Sequence, residues 1–496
     1  MILALTATIA IVVLDHTSLR TAPRSTATEL TALWRGDAVE IRGERAGYLK
    51  VYDYHRERGG YLRSESVRPV TLTETAAPEL LAVVRFLRET PGSETLGISY
   101  GAAYLKAVPS RSLTAEPFDA IARMAERLAD EAAGSSSRSA DAAAHLEVVE
   151  QFGIRMQSFE RNGHMQVCYD GELFRRVLTM PGASPEERAH AVLGLTRPDC
   201  IDPALGPVPR AALDDQRREL LDDIKDADLG AMLRTRLHVR RAGVWASIAY
   251  SQARRSEPSG MAAGRALAEL LAADPNELGE DRRGEYSDAV LRTSAVRWAA
   301  SLPAPQTGPL MLSAAPGEPG QTCIALQDSH RPHSAPLVRR CTYGIVWMAS
   351  AQTLAQGSAL VLGVQPLESW RELWVFHECA GNWTIDVLSP GTDDPEEGYV
   401  DYAGFAPGTR RLLIAREVKE RGRFRRRFEE LQLDDLALVR QASSPELLRD
   451  FGRWQDVAWR RDTLALHRAE FYEPAGPFIV SACNNLRAAA ARRPRP

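Results

Sequence analysis

In the run "WVFHECAGNW" a histidine, a glutamate and a cysteine stand side by side as His377, Glu378 and Cys379. A thiol beside an imidazole can act as a nucleophile with its general base. Successive side chains of a strand alternate faces, however, and Cys379 is better explained as one half of a disulfide. Asp328, His330 and His333 gather metal-ligand types in one short run. That run lies beside a proline between two strand-like segments and reads as a solvated loop. The carboxylate pairs Asp214-Asp215, Asp222-Asp223 and Glu396-Glu397 lie on polar segments and read as solvated faces and N-terminal helix charges. "KERGRFRRRF", Lys419 to Phe428, alternates arginines with Phe424 and Phe428, a pattern able to grip phosphate or an acidic partner. On a strand, the same pattern keeps its arginines in solvent along a protected sheet edge. A P-loop, a dinucleotide-binding glycine turn and an H-E-x-x-H pair are absent, and no catalytic residue, metal or cofactor is assigned.

A second kind of chemistry is recognition by aromatic side chains, and Tyr48, Tyr52, Tyr54 and Tyr61 cluster near the start of the chain. An exposed set of tyrosines offers contact area at low entropic cost. The alternative is that two or three of them are core. The elements that would position them are the short apolar runs "IAIVVL", "LTALW", "AVEIRGE", "YLKVYDY" and "GGYLRSESV", separated by turns such as Gly36-Asp37 and Gly59-Gly60.

This pattern resembles the bacterial Src-homology-three-like domain, a small five-stranded barrel, over about the first 70 residues. "TSLRTAPRST" stands where that family has its "LNVRSGPS" loop, with Leu19, Arg20 and Pro23 matching. "WRGDAVEIRGE" matches the following strand pair through Gly36, Asp37, Val39 and Ile41, and the last strands match at Tyr48, Val51, Gly60, Tyr61 and Val67. Tyr48 and Tyr61 replace the commoner tryptophans. The resemblance implies a barrel that binds cell-wall glycopeptide or another peptide, or that packs on a neighbouring domain. Only "RPVTLTETAA" follows it before the first helix, so the barrel stays close to the helical region and any ligand groove is shared with it.

With 44% hydrophobic and 25% charged residues the chain is an ordinary globular protein, and at 496 residues it is too long for one core. A net charge of -4 gives no overall field for nucleic acid or an anionic membrane. The expected architecture is multidomain α+β: a Src-homology-three-like barrel over 1–74, a mainly α-helical domain with a β-hairpin over 75–303, a Pro/Gly-rich linker over 304–321, and a β-rich propeller-like or sandwich domain over 322–496. Period-3.6 runs at Leu80, Val84 and Leu87 and at Phe118, Ile121, Ala125 and Leu128 mark helices. Ser184-Pro-Glu-Glu187 is a capping box, and Asn162-Gly163 turns the hairpin. In the C-terminal region, "VDYAGFAPGTRRLLIAREV" and "WQDVAWRRDTLALHRAE" look alike and are similar to the inner hairpin of a β-propeller blade.

The six cysteines are even in number and fall in three sequential pairs, which predicts Cys168–Cys200, Cys323–Cys341 and Cys379–Cys483 bridges in an oxidising compartment. The opening "MILALTATIAIVVLD" is too short to cross a bilayer and lacks a complete signal peptide's basic start and cleavage site. It reads as the truncated or misplaced start of a periplasmic or secreted protein; the alternative is a cytoplasmic protein whose first strand runs from Ala10 to Leu14. No other run is long enough to span. These features favour a non-catalytic envelope binding or scaffolding protein with a protein or cell-wall glycopeptide ligand and no nucleic-acid partner. A cell-wall hydrolase with an unrecognised active site is the alternative. The sequence assigns no oligomeric state.

Overall fold

A computed structural model describes residues 8–134, 139–161, 163–303, 308–331, 334–354, 357–391, 397–420 and 422–462. They form two compact units. The first comprises residues up to Gly206 with Leu220–Leu229, and the second Pro207–Glu219 with residues from Gly230 on. This division falls within the helical region.

The first unit opens with β1 (Thr8–Val12), β2 (Thr17–Arg20), β3 (Glu29–Leu33), β4 (Ala38–Arg45), β5 (Tyr48–Asp53), β6 (Arg58–Arg63) and β7 (Val67–Val70). All pair antiparallel in one seven-stranded sheet of order β3-β2-β6-β5-β4-β1-β7. Among the described residues no pairing joins β3 to β7, so the sheet does not close into the expected barrel. Val67–Val70 takes the second edge of β1 instead. The burial of β1 explains its unbroken apolar run. Ala10 and Val12 join Leu19, Leu33, Val39, Val51 and Leu62 in the concavity of the sheet, while Ile11 faces the helices with Val70. A strand buried on both faces has no polar alternation.

The helices of this unit are α1 (Ala77–Arg88), α2 (Glu94–Ala107), α3 (Glu116–Ala133) and α4 (Ser139–Glu150). The hairpin β8 (Met156–Arg161) and β9 (His164–Tyr169) follows, then α5 (Glu172–Thr179) and α6 (Pro185–Leu195). The hairpin is as expected; Asn162 lies outside the described residues, and Gly163 has φ +75°. The Ser184 hydroxyl accepts from the Glu187 N–H and the Glu187 carboxylate from the Ser184 N–H, completing the capping box. Helix α2 is central. One side meets the sheet through Ala103, Tyr104 and Ala107. On the other, a Cβ at Gly97 would lie 2.3 Å from Met124 Sδ and one at Gly101 2.6 Å from Ile121 Cγ1, so glycine lets α3 approach closely. Cys168 and Cys200 are bridged, with Cα atoms 5.8 Å apart.

The second unit contains most of α7 (Pro207–Asp222), then α8 (Ala231–Arg254), α9 (Gly260–Ala272) and α10 (Arg283–Val296). Next come β10 (Leu310–Pro316), β11 (Thr322–Asp328) and β12 (Val338–Thr342), which form a three-stranded sheet stapled by Cys323–Cys341. Part of the expected linker is therefore strand. Leu310 and Leu312 alternate into the core, and Pro316 is tolerated because β10 is an edge strand.

The strands β13 (Ile345–Leu354), β14 (Ala359–Leu367), β15 (Trp370–Cys379), β16 (Asn382–Leu388), β17 (Glu397–Ala406), β18 (Arg411–Glu420), β19 (Arg423–Gln432) and β20 (Leu438–Ala442) form one eight-stranded sheet. The expected propeller-like arrangement is not found among the described residues. The β17–β18 hairpin is real, but a parallel pairing of Trp370 with Gly398 joins it to β15, so the hairpins fuse into a single sheet. One side of that sheet packs on β10 and β11 through Leu312, Ile324, Leu362, Trp374 and Phe376. The second propeller-like segment is helical as far as it is described, with α11 (Arg449–Trp454) and α12 (Val457–Asp462) burying Phe451 and Trp459 against Phe428. Cys483, the expected partner of Cys379, lies outside the described residues. No helix among the described residues is long and apolar enough to cross a membrane.

Candidate functional site

The candidate site lies in the first unit, where the sheet meets the helices. The Gly36-Asp37 turn anchors this junction. With φ +99°, Gly36 occupies a conformation that favours glycine, and its carbonyl accepts a hydrogen bond of 2.6 Å from the Ser99 hydroxyl of α2. The buried carboxylate of Asp37 accepts from Arg56 at 3.0 Å and from the Gln151 amide at 3.3 Å. The Arg56 guanidinium also reaches Asp53 at 3.0 Å. Farther along, His145 of α4 bonds Asp15 at 2.8 Å. Burial alone would raise the Asp15 carboxyl, but hydrogen bonds from His145 and the Arg35 N–H hold it below its ordinary value. These pairs and the apolar cluster of Ile11, Val70, Leu80 and Ala103 fasten the sheet to the helices.

Beside this seam is a cavity of about 340 Å³. The sheet contributes Ile9, Ile11, Val39, Glu40 and Val70, with Tyr54 and His55 from the β5–β6 turn. From the helical side come Ser99, Ala102, Ala103 and Lys106 of α2, with Gln151 and Phe152 just after α4. Glu40 is held by Arg42 Nε at 2.7 Å and by the Tyr54 hydroxyl at 3.1 Å, and these bonds, Arg42 foremost, keep its carboxyl below the ordinary range. The Arg42 guanidinium stacks 4.1 Å from the Tyr52 ring, which meets Tyr54 edge-on at 4.9 Å.

Of the four tyrosines singled out from the sequence, only Tyr54 lines this cavity. Tyr48 and Tyr52 alternate with the inward residues Leu49 and Val51, and Tyr61 pairs with Lys50, so those three share the outer face of β5 and β6 and are half-buried there. The cavity residues of α2 were missed, because α2 has no polar stripe to separate a binding face from a core face. Also missed was Gly97-Ile98-Ser99-Tyr100-Gly101, which has the G-x-S-x-G spacing of a nucleophile elbow. An elbow is a strand-to-helix turn, whereas this run lies inside α2, and its buried hydroxyl is engaged by the Gly36 and Thr95 carbonyls at 2.6 and 2.8 Å. It acts as a clasp.

The other sequence candidates resolve as structural. His377 Nε2 bonds the Asp386 carboxylate at 2.7 Å within the sheet, with both residues buried. Asp328 Oδ1 accepts the His330 N–H in a turn, His333 lies outside the described residues, and no cluster of three metal-ligating side chains occurs among the described ones. Asp214, read as solvated, is buried and held by Arg210, Arg217 and the Ser247 hydroxyl. Asp222 and Asp223 are exposed as expected. The arginine-rich strand is not an edge. It lies between β18 and β20, and Arg425, Arg426 and Arg427 pair with Glu420, Glu417 and Glu420.

Glu397 is buried too, within a row of ion pairs that matches α10 to the sheet. Lys419 bonds Asp288 at 3.0 Å, Arg292 bonds Glu397, and Arg297 and Arg371 both bind Asp401, at 3.2 and 2.6 Å. Burial first, then the adjacent Glu397 carboxylate, pushes Asp288 up to about 8. Burial would also raise Glu397, but Arg292 and Lys419 pull it down to about 2. The row holds α10 on the sheet.

No family model, curated protein or solved structure matches the chain.

Proposed function

We propose that this is a non-catalytic binding or scaffolding protein of the bacterial envelope, periplasmic or secreted, whose ligand is a peptide or cell-wall glycopeptide held in the cavity of the first unit. The cavity itself carries this reading: about 340 Å³, mostly apolar walls and a few convergent polar groups match the small-ligand sites of proteins, which run from about 300 to 1,000 Å³. The resemblance of the opening residues to the Src-homology-three-like family supports a peptide or glycopeptide as ligand. The two bridges, Cys168–Cys200 and Cys323–Cys341, are compatible with an oxidising compartment. The front sheet then serves as one wall of the site rather than as a free recognition module. Hydrogen exchange of the full chain with and without soluble cell-wall muropeptides tests this. Slowed exchange in residues 9–11, 70–72 and 99–106 is expected, and unchanged exchange there would overturn the reading.

A further inference from the structure

We propose that the cavity of the first unit receives the C-terminal end of an apolar peptide, with its free carboxylate on the Lys106 ammonium. The inference rests on the binding role proposed above. It follows from asking which polar group on the cavity wall still lacks a partner. Glu40 is taken by Arg42 and Tyr54. His55 sits 3.7 Å from Glu147. The Gln151 amide donates to Asp37 and to the Val148 carbonyl, at 3.3 and 2.7 Å. The Ser99 hydroxyl is engaged by two backbone carbonyls. Lys106 is exposed, and of these polar liners it is the one that makes no hydrogen bond or ion pair among the described residues.

The remaining wall is Ile9, Ile11, Val70, Leu72 and Phe152. A ligand complementary to it is apolar in body and brings a single negative group to the Lys106 end, where an ammonium–carboxylate bond is charge-assisted. The sheet excludes another mode of peptide capture along β1. β1 already pairs with β4 on one side and β7 on the other, so β1 itself offers no backbone edge for an added strand. Side-chain fit and the terminal charge are left to define the ligand. A medium-chain fatty acid has the same chemistry, so the test must separate the two.

Calorimetric titration of the full chain uses three probes: the peptide acetyl-Ala-Leu-Leu with a free carboxylate, its C-terminal amide, and decanoate. The acid peptide is expected to bind about tenfold or more tightly than the amide. Lys106→Gln should remove that advantage, bringing acid and amide to similar affinity, while Lys106→Arg should retain most of it. Equal affinity of acid and amide, with both lost when Ala102→Trp fills the cavity, overturns the carboxylate assignment but leaves the binding role standing. Decanoate binding more tightly than the acid peptide overturns the peptide in favour of a lipid acid. No binding by any of the three probes overturns the apolar-peptide assignment, and acid-peptide affinity untouched by Ala102→Trp overturns the cavity as its site; the binding role itself falls only if muropeptides also leave exchange unchanged.

Discussion

If the front sheet is pressed onto α2, then Gly36→Ala is felt twice. The first cost is conformational: at φ +99° a Cβ is strained, by about 1–2 kcal/mol. The second is packing. A Cβ at this position would lie 3.0 Å from both Ser99 Oγ and the Thr95 carbonyl oxygen. The second of these is helix backbone and cannot rotate away, so the sheet or the helix must shift, at about 1–3 kcal/mol. Gly47 supplies the control, since it lies in the β4–β5 turn with φ +74° and nothing within 4 Å of its notional Cβ. Gly47→Ala should therefore cost only the backbone term, about 1 kcal/mol, and Gly36→Ala about 3 kcal/mol. Native-state hydrogen exchange through residues 8–41 and 94–107 reads both, and Gly36→Ala should speed exchange in both segments together. Equal destabilisation by the two substitutions, or an effect confined to the sheet, would refute the docking argument.

The row of ion pairs beneath α10 gives a pH signature. The Asp288 pKa is raised in the folded state, so the folded chain keeps a proton that the unfolded chain loses, and stability of the second unit falls as pH rises from about 4 toward about 8. Asp288→Asn should flatten that slope in thermal melts across the window; an unchanged slope refutes the assignment. Glu397, depressed to about 2, contributes stability above its unfolded value that is lost as pH falls through that range. Asp401→Asn removes the buried partner of Arg371 and should cost about 3–5 kcal/mol in urea unfolding; a cost below about 1 kcal/mol would contradict the pairing. Mass mapping of non-reduced peptides should recover Cys168–Cys200 and Cys323–Cys341, and Cys168→Ser with Cys200→Ser should lower stability by about 2–4 kcal/mol. Tyr54→Ala should weaken ligand binding, measured by calorimetry, more than Tyr48→Ala or Tyr61→Ala; the reverse order would relocate the site to the outer face of β5 and β6.

Local signals read well wherever one residue pair decides the geometry. The Ser184–Glu187 box, the hairpin before Tyr169 and the turn at Gly36-Asp37 follow from their own side chains and backbone preferences. The two described bridges follow from chain order. Reading failed where tertiary context overrode composition. Leu310–Pro316 looked like a linker because prolines and glycines surround two leucines that in fact alternate into a core. Arginines in β19 looked solvated, yet their carboxylate partners lie across the strand on β18, out of reach of any linear pattern. Trp454 to Asp462 looked like strand because Trp454 and Trp459 suggest an aromatic strand, whereas the segment falls in two helices of 6 residues each, too short to show a helical period. The cavity was anticipated as a groove shared by sheet and helices, but its composition was not legible. Ile9, Ala103 and Phe152 come together only after α2 is clamped between the sheet and α3, and nothing near Lys106 in the sequence distinguishes it.

The proposed function places the ligand in the space between the front sheet and α2. The dissociation constant of acetyl-Ala-Leu-Leu for Ala102→Trp, compared with that for the unmodified chain, tests this most directly. Ala102 is half-buried on the wall of the cavity, so an indole there occupies the ligand's space. Affinity should fall at least about tenfold, the cost of excluding the ligand from a largely apolar site, with the melting temperature of the first unit little changed. Affinity equal to that of the unmodified chain, in a variant shown to be folded, would contradict it.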